Sequence, residues 1–277
     1  MPETLYPPPR PLSVGELLDL SFRIYRSTFV KCLVFGGLVV VSNWLPNLYA
    51  ILRGQTVVQS MVRPVVDLPH LLILFISLLL AMVFPVAIID RQYRMITGRE
   101  VGGELLRALR LLGRILLILI LSFLVGLACV LLVVPAFLTT GLVRYALVAL
   151  LVLPLGYVLL RLTSAFTAMV IEDRSATGSL SRSWELTGGS VLRLTAVYTV
   201  AAFLLLVLYI VIASLTGFLY AVLGKGDVAL IAAGIGVVTV AAGALASPYY
   251  SALGLAVFGD LLVRKEGADL SQRISAS

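Results

Sequence analysis

Arg161 interrupts the apolar run Tyr145–Ile171. A charge placed at mid-membrane costs about 2.5–3.5 kcal/mol even on the lenient insertion scale, so it needs a partner or water. Thr163, Ser164, Thr167 and Ala168 follow within two turns. Counting back from Glu172 at 1.5 Å per residue sets Arg161 roughly 16 Å inside the run. Such a group can bind an anion or a lipid headgroup. The plainer alternative is a structural arginine that bonds carbonyls and hydroxyls, or one that snorkels to the interface. The second basic feature is the stretch 90–114, where Arg107, Arg110 and Arg114 lie opposite an apolar stripe of Val101, Leu105, Leu109 and Leu112. Near a membrane surface each such charge attracts anionic lipid by about 1 kcal/mol. Simple anchoring of the topology accounts for the same residues equally well.

The other reactive residue types carry less. The single histidine, His70, stands alone beside Pro69. Asp90 and the pair Glu172–Asp173 read as solvated ends of apolar runs. Cys32 and Cys129 both fall in apolar runs and behave as small hydrophobes; their spacing fits no metal site. Gly188–Gly189 has no following Lys-Ser/Thr and reads as a helix stop, not a phosphate loop. No paired buried carboxylates and no Ser/His/Asp arrangement occur, so no enzyme chemistry, metal or cofactor is expected.

The elements that hold these residues are long and apolar. The 277 residues are 60% hydrophobic and 13% charged, whereas a soluble domain is about 25% charged. Lipid is the expected solvent. The net charge of +7 sits beside apolar runs, which points to membrane orientation and away from nucleic acid. The stretch 1–12 holds five of the twelve prolines and is expected to be extended and flexible. It lacks the features of a signal peptide, so the first span is expected to remain in place. Ser13 and Glu16 form a capping box that opens a short amphipathic helix ending near Arg26.

Spans are expected over Phe29–Ile51, Leu71–Ile89, Ile115–Leu138, Tyr145–Ile171 and Leu194–Leu215, with a sixth inside Val228–Val263. The fourth, about 40 Å long, exceeds a core of roughly 30 Å and must tilt, protrude or kink at Pro154. A third amphipathic helix covers Ala176–Thr187. Asp173 or Ser175 caps it, Ala176, Leu180 and Trp184 share its apolar face, and Gly188–Gly189 ends it. Small residues from Ala232 to Ala246 favour close helix packing. Of the 21 Lys and Arg residues, 16 fall in the N-terminal region, the 90–114 and 172–193 loops and the C-terminal tail; Arg53, Arg63, Arg144 and Lys225 fall opposite. The bias places both termini in the cytoplasm. The same arrangement, an amphipathic helix followed by a hairpin of spans, occurs three times.

Three stretches resemble the membrane-domain family of glycerophosphoryl diester phosphodiesterase. The first is Arg10-Pro11-Leu12-Ser13-Val14-Gly15-Glu16-Leu17-Leu18-Asp19 with Phe22-Arg23-Ile24-Tyr25-Arg26. The second is Leu153-Pro154-Leu155-Gly156-Tyr157 through Arg161, then Arg182-Ser183-Trp184 with Leu186-Thr187. The third is Asp260 with Arg264-Lys265-Glu266-Gly267 and Asp269-Leu270. The chain departs from the tail pattern at Leu262, where the family has arginine, and at Phe258–Gly259, where it often has a tyrosine pair. Some members fuse this region to a soluble phosphodiesterase. With one histidine and no long soluble stretch, this chain is expected to match the membrane part alone.

The expectation is therefore an all-α polytopic bundle of about six spans in three hairpins, with cytoplasmic amphipathic helices. Residues 13–270 form one integral domain and 271–277 a disordered tail, in a bacterial inner membrane. The function expected is a non-catalytic integral scaffold or accessory module that contacts anionic lipid or a cytoplasmic protein partner, alone or as a homo-oligomer. Two alternatives stay open: a transporter or lipid-handling permease using Arg161, and a membrane subunit of a separately encoded hydrolase. Arg161, Arg107, Arg110 and Arg114 are the candidate polar or lipid contacts. Ser13, Glu16, Arg182, Trp184 and Gly188 are expected to place helices at the interface.

Overall fold

The structure, a computed structural model, describes residues 6–55, 67–137, 141–223 and 228–276. Among them it is all-α, with helices α1 (Val14–Leu52), α2 (Leu68–Ile96), α3 (Glu104–Arg110), α4 (Leu112–Phe137), α5 (Leu142–Leu162), α6 (Ala165–Glu172), α7 (Ala176–Thr187), α8 (Val191–Leu223) and α9 (Val228–Ala276). Five segments are long and apolar enough to cross a membrane, or six when the bent pair α3–α4 counts as one span. Sequence neighbours pack as hairpins, α1 with α2, α4 with α5 and α8 with α9, and α1 also packs along α9. The loop containing Arg63, Thr139–Thr140 and the turn Gly224–Asp227 lie outside the described residues, as do the side chains of Cys129 and Arg144.

The core sits at one end of the bundle. Leu17, Ile24, Ile88, Met169, Leu186 and Phe258 are buried there, while Leu72, Phe75, Phe123, Phe203 and Phe218 stay exposed along the remaining lengths. Exposed apolar side chains on long helices suit contact with lipid, which is as apolar as leucine. The polar ends of α2 and α9, the starts of α1 and α8, and all of α3, α6 and α7 gather at the packed end.

The three amphipathic segments join their spans in three different ways. The first is not a separate surface helix: α1 runs unbroken for 39 residues, about 58 Å. No breaker separates Arg26 from Phe29. Ser27 and Thr28 instead donate their hydroxyls to the Ile24 carbonyl within the helix. The capping box is present, with the Ser13 hydroxyl accepting the Glu16 N–H and Glu16 accepting the Ser13 N–H. The second segment starts at Glu104, not Val101, and meets α4 at a 56° bend. Its stripe is reversed relative to the expected packing. Val101, Leu105 and Leu109 are exposed, and Glu104, Ala108 and Leu111 are buried. An apolar stripe in a membrane chain can face lipid, so it does not by itself mark the core side. The third, α7, is a discrete helix capped by Ser175 through the Gly178 N–H. Gly189, not Gly188, takes the positive φ beyond its end.

The long fourth run breaks at Thr163–Ser164, between α5 and α6, whereas Pro154 lies inside α5. The sixth run is one helix of 49 residues with Pro248 inside it. It continues through Ala276, so no helix break marks the boundary read at residue 270.

The N-terminal lead-in is seated against the bundle. Tyr6 is buried and meets Tyr93 edge to face. Leu12 bonds to Asp260, Arg193 and Arg264. Residues 6–12 are thus held by contacts from α2, α8 and α9, where a flexible strand was the expectation from proline content alone.

Candidate functional site

Two basic sites occupy the packed end. The first forms at the α3–α4 bend, where a pocket of about 550 Å³ is lined by Arg94, Gly103, Leu106, Arg107, Arg110, Leu111, Arg114 and Asp173. The arginines converge because α3 doubles back beside the end of α2. Asp90, 2% exposed, accepts from both Arg94 at 3.0 Å and Arg107 at 3.1 Å. Arg107 also donates to the Val170 carbonyl. Arg114 bonds the Asp173 carboxylate at 2.7 Å and the Arg174 carbonyl at 3.1 Å. Arg110 is exposed and has no carboxylate partner among the described residues. Against four guanidiniums stand two carboxylates, Asp90 and Asp173, which leaves the pocket positive.

Asp90 is therefore not a solvated span end; its burial is offset by two cations. Glu104, also buried, pairs with Arg91 at 3.2 Å. Arg91 in turn lies 4.5 Å from the Phe35 ring centroid and donates to the Lys31 carbonyl. The sequence signals arginine density here, but Asp90 and Glu104 as organisers emerge only from the packing.

Arg161 marks the second site. It is 8% exposed, with its guanidinium 4.3 Å from the Trp184 ring centroid and 5.6 Å from that of Tyr157. The Ser183 hydroxyl donates to the Arg161 carbonyl at 2.7 Å, and the Thr187 hydroxyl also reaches it. These hydroxyls sit on the face of α7 that packs inward. Trp184, at 42% exposure, covers the guanidinium and, with Leu180, lines an apolar recess beside Leu121 and Val125. Arg182 pairs with Glu172, Glu185 and Glu266, tying α7 to α6 and α9. Burial would lower the Arg182 pKa, but its carboxylate partners outweigh that and hold it above the ordinary arginine value.

A third feature is a cavity of about 550 Å³ beside the α5–α6 break. Asn43, Thr163, Thr167, Tyr198, Ser247 and Ser251 share its wall with apolar side chains. No charged side chain lines it, and Arg161 is not part of it. Among the described residues no cluster of His, Cys, Asp and Glu could hold a metal. Cys32 is buried as a free thiol. His70 lies at the other end of α2, where its backbone N–H caps onto Asp67.

Long apolar helices around a polar, arginine-rich packed end define a polytopic membrane module. The chain matches the family described as the membrane domain of glycerophosphoryl diester phosphodiesterase over residues 131–272, just over half its length, and belongs to it. No curated protein and no solved structure matches the chain. The stretches that carry the resemblance meet in space. Leu12 from the first binds Asp260 of the third, and Ser183, Trp184 and Thr187 of the second close over Arg161.

Proposed function

We propose that this chain is a non-catalytic membrane module whose packed end faces the cytoplasm and binds anionic phospholipid of the inner leaflet. The pocket of Arg94, Arg107, Arg110 and Arg114 is the observation that carries this reading. Guanidinium forks match phosphate oxygens in pairs. Basic pockets at the cytoplasmic face of membrane helices suit anionic headgroups. The exposed Leu105, Leu106 and Leu109 give acyl chains an apolar surface beside the pocket. In this role the module holds itself, and any protein docked on α3 and α7, at an anionic patch of a bacterial inner membrane.

Purification in mild detergent followed by mass spectrometry of the retained lipid tests this. The native protein should retain anionic phospholipid above its share in the membrane. Arg110→Glu with Arg114→Glu should remove that enrichment. Equal retention in both proteins would refute the reading.

One observation favours lipid or solute transport as a second reading. The α5–α6 break faces a cavity lined with hydroxyls, as discontinuous helices do in transporters. Arg161 lies off that cavity, so this version uses Thr163 and Thr167 rather than the arginine.

A further inference from the structure

We infer that Arg161, Lys265 and the notch left by Gly188 form a second phosphate-binding site, separate from the α3–α4 pocket. Arg161 is buried, yet it has no carboxylate partner among the described residues, and its Nε–H is buried without an acceptor. The other buried or half-buried arginines at this end, Arg91, Arg94, Arg107, Arg182, Arg193 and Arg264, each hold a carboxylate.

A second cation joins Arg161. A Cβ on Gly188 would stand 3.3 Å from an Arg161 terminal nitrogen and 3.8 Å from the Lys265 Nζ. Both cations, with the Glu185 carbonyl oxygen 3.2 Å from the same point, therefore border the face of Gly188, where a Cβ would crowd them. Lys265 likewise has no carboxylate partner among the described residues. Two cations sharing a space repel each other, and the carbonyl end of α7 supplies only partial negative charge. An anion in the notch neutralises both. A phosphate group, with oxygens for a guanidinium and an ammonium together, fits that demand. Trp184 beside the notch has the amphipathic character that favours the headgroup zone. The phosphate can come from an anionic phospholipid or from free phosphate.

Trp184 provides the readout, since its ring lies against the guanidinium and Trp44 is the only other tryptophan. A Trp44→Phe protein in detergent is titrated with short-chain phosphatidylglycerol and, separately, with inorganic phosphate, while Trp184 emission is recorded. A saturable change is expected. Lys265→Ala should raise the half-saturation concentration roughly tenfold, the scale of one charged hydrogen bond. Gly188→Ala, which fills the notch, should abolish the change. Arg110→Ala should leave it intact, which separates this site from the α3–α4 pocket. A response to lipid alone identifies a headgroup site, and saturation by phosphate at lower concentration identifies a free-anion site. No emission change with either probe, or an unaltered titration in Lys265→Ala, would overturn the proposal. Lys265 is exposed, so that variant keeps the test valid if Gly188→Ala fails to fold.

Discussion

The Asp260 carboxylate accepts the Leu12 backbone N–H at 2.7 Å across 248 residues of sequence. Asp260 is 1% exposed and also binds Arg193 and Arg264. Both arginines donate to the Leu12 carbonyl as well. The backbone N–H and C=O of one lead-in residue are thus held by groups from α8 and α9. Asp260→Ala leaves two partly buried guanidiniums without their carboxylate, at a cost of about 3–5 kcal/mol. Thermal unfolding in detergent should show that loss. Cleavage of the lead-in by a broad-specificity protease should speed up as it detaches.

Pro248 has no N–H to give the carbonyl four residues earlier, that of Ala244. Gly36 of α1 packs at that carbonyl: a Cβ there would stand 2.3 Å from the Ala244 oxygen and 3.2 Å from the Pro248 ring. Backbone faces the intruding carbon, so relief requires the helices to part. Gly36→Ala should destabilise the protein by about 1–3 kcal/mol, the usual range for overpacking. An unfolding curve compared with that of Gly37→Ala, where no atom lies within 4 Å, isolates the effect.

At the opposite end of the bundle, Asp67 caps α2 and accepts from the Tyr49 hydroxyl at 2.7 Å and from Arg53 at 2.9 Å. The Tyr49 hydrogen bond is the largest of the influences that hold its carboxyl below the usual value, followed by the His70 N–H. A carboxyl depressed on folding stabilises the folded state above its unfolded pKa, about 3.9. That contribution falls away as pH drops through the lower folded value. Asp67→Asn should therefore unfold more readily than the native protein at neutral pH. The two should converge as pH falls below the depressed folded value, as thermal unfolding across a pH series can check.

Asp90 supports the α3–α4 pocket and also cancels part of its charge. Asp90→Asn should lower stability, because Arg94 and Arg107 lose their shared counterion. The same change removes a negative charge from beneath the pocket and should tighten anionic-lipid binding several-fold. Parallel unfolding and lipid-retention measurements should move in these opposite directions.

Local signals were legible in the sequence wherever the partner lies within one turn. The Ser13–Glu16 box and the Ser175 cap need only neighbouring residues, and the spans need only apolar length. The continuity of α1 was hidden because Ser27 and Thr28 look like an interruption but turn their hydroxyls onto their own helix. The seat of residues 6–12 depends on Asp260, far along the chain. Periodicity in α3 picked out an apolar stripe without telling lipid from core. Arg161 stood out as a charge in an apolar run. Its setting was not legible, because α7 must first fold back along α6 to bring Trp184 and Gly188 to it.

The most direct measurement of the central claim is electron paramagnetic resonance of spin-labelled lipids around the protein in vesicles. With labelled phosphatidylglycerol, the native protein should show a larger motionally restricted fraction than with labelled phosphatidylcholine, and added salt should reduce the difference. Arg110→Ala with Arg114→Ala spares the Asp90 pairs and should bring the two fractions together. Equal fractions for both lipids in the native protein, or an undiminished preference in the double variant, would contradict the assignment of the α3–α4 pocket as an anionic-lipid site.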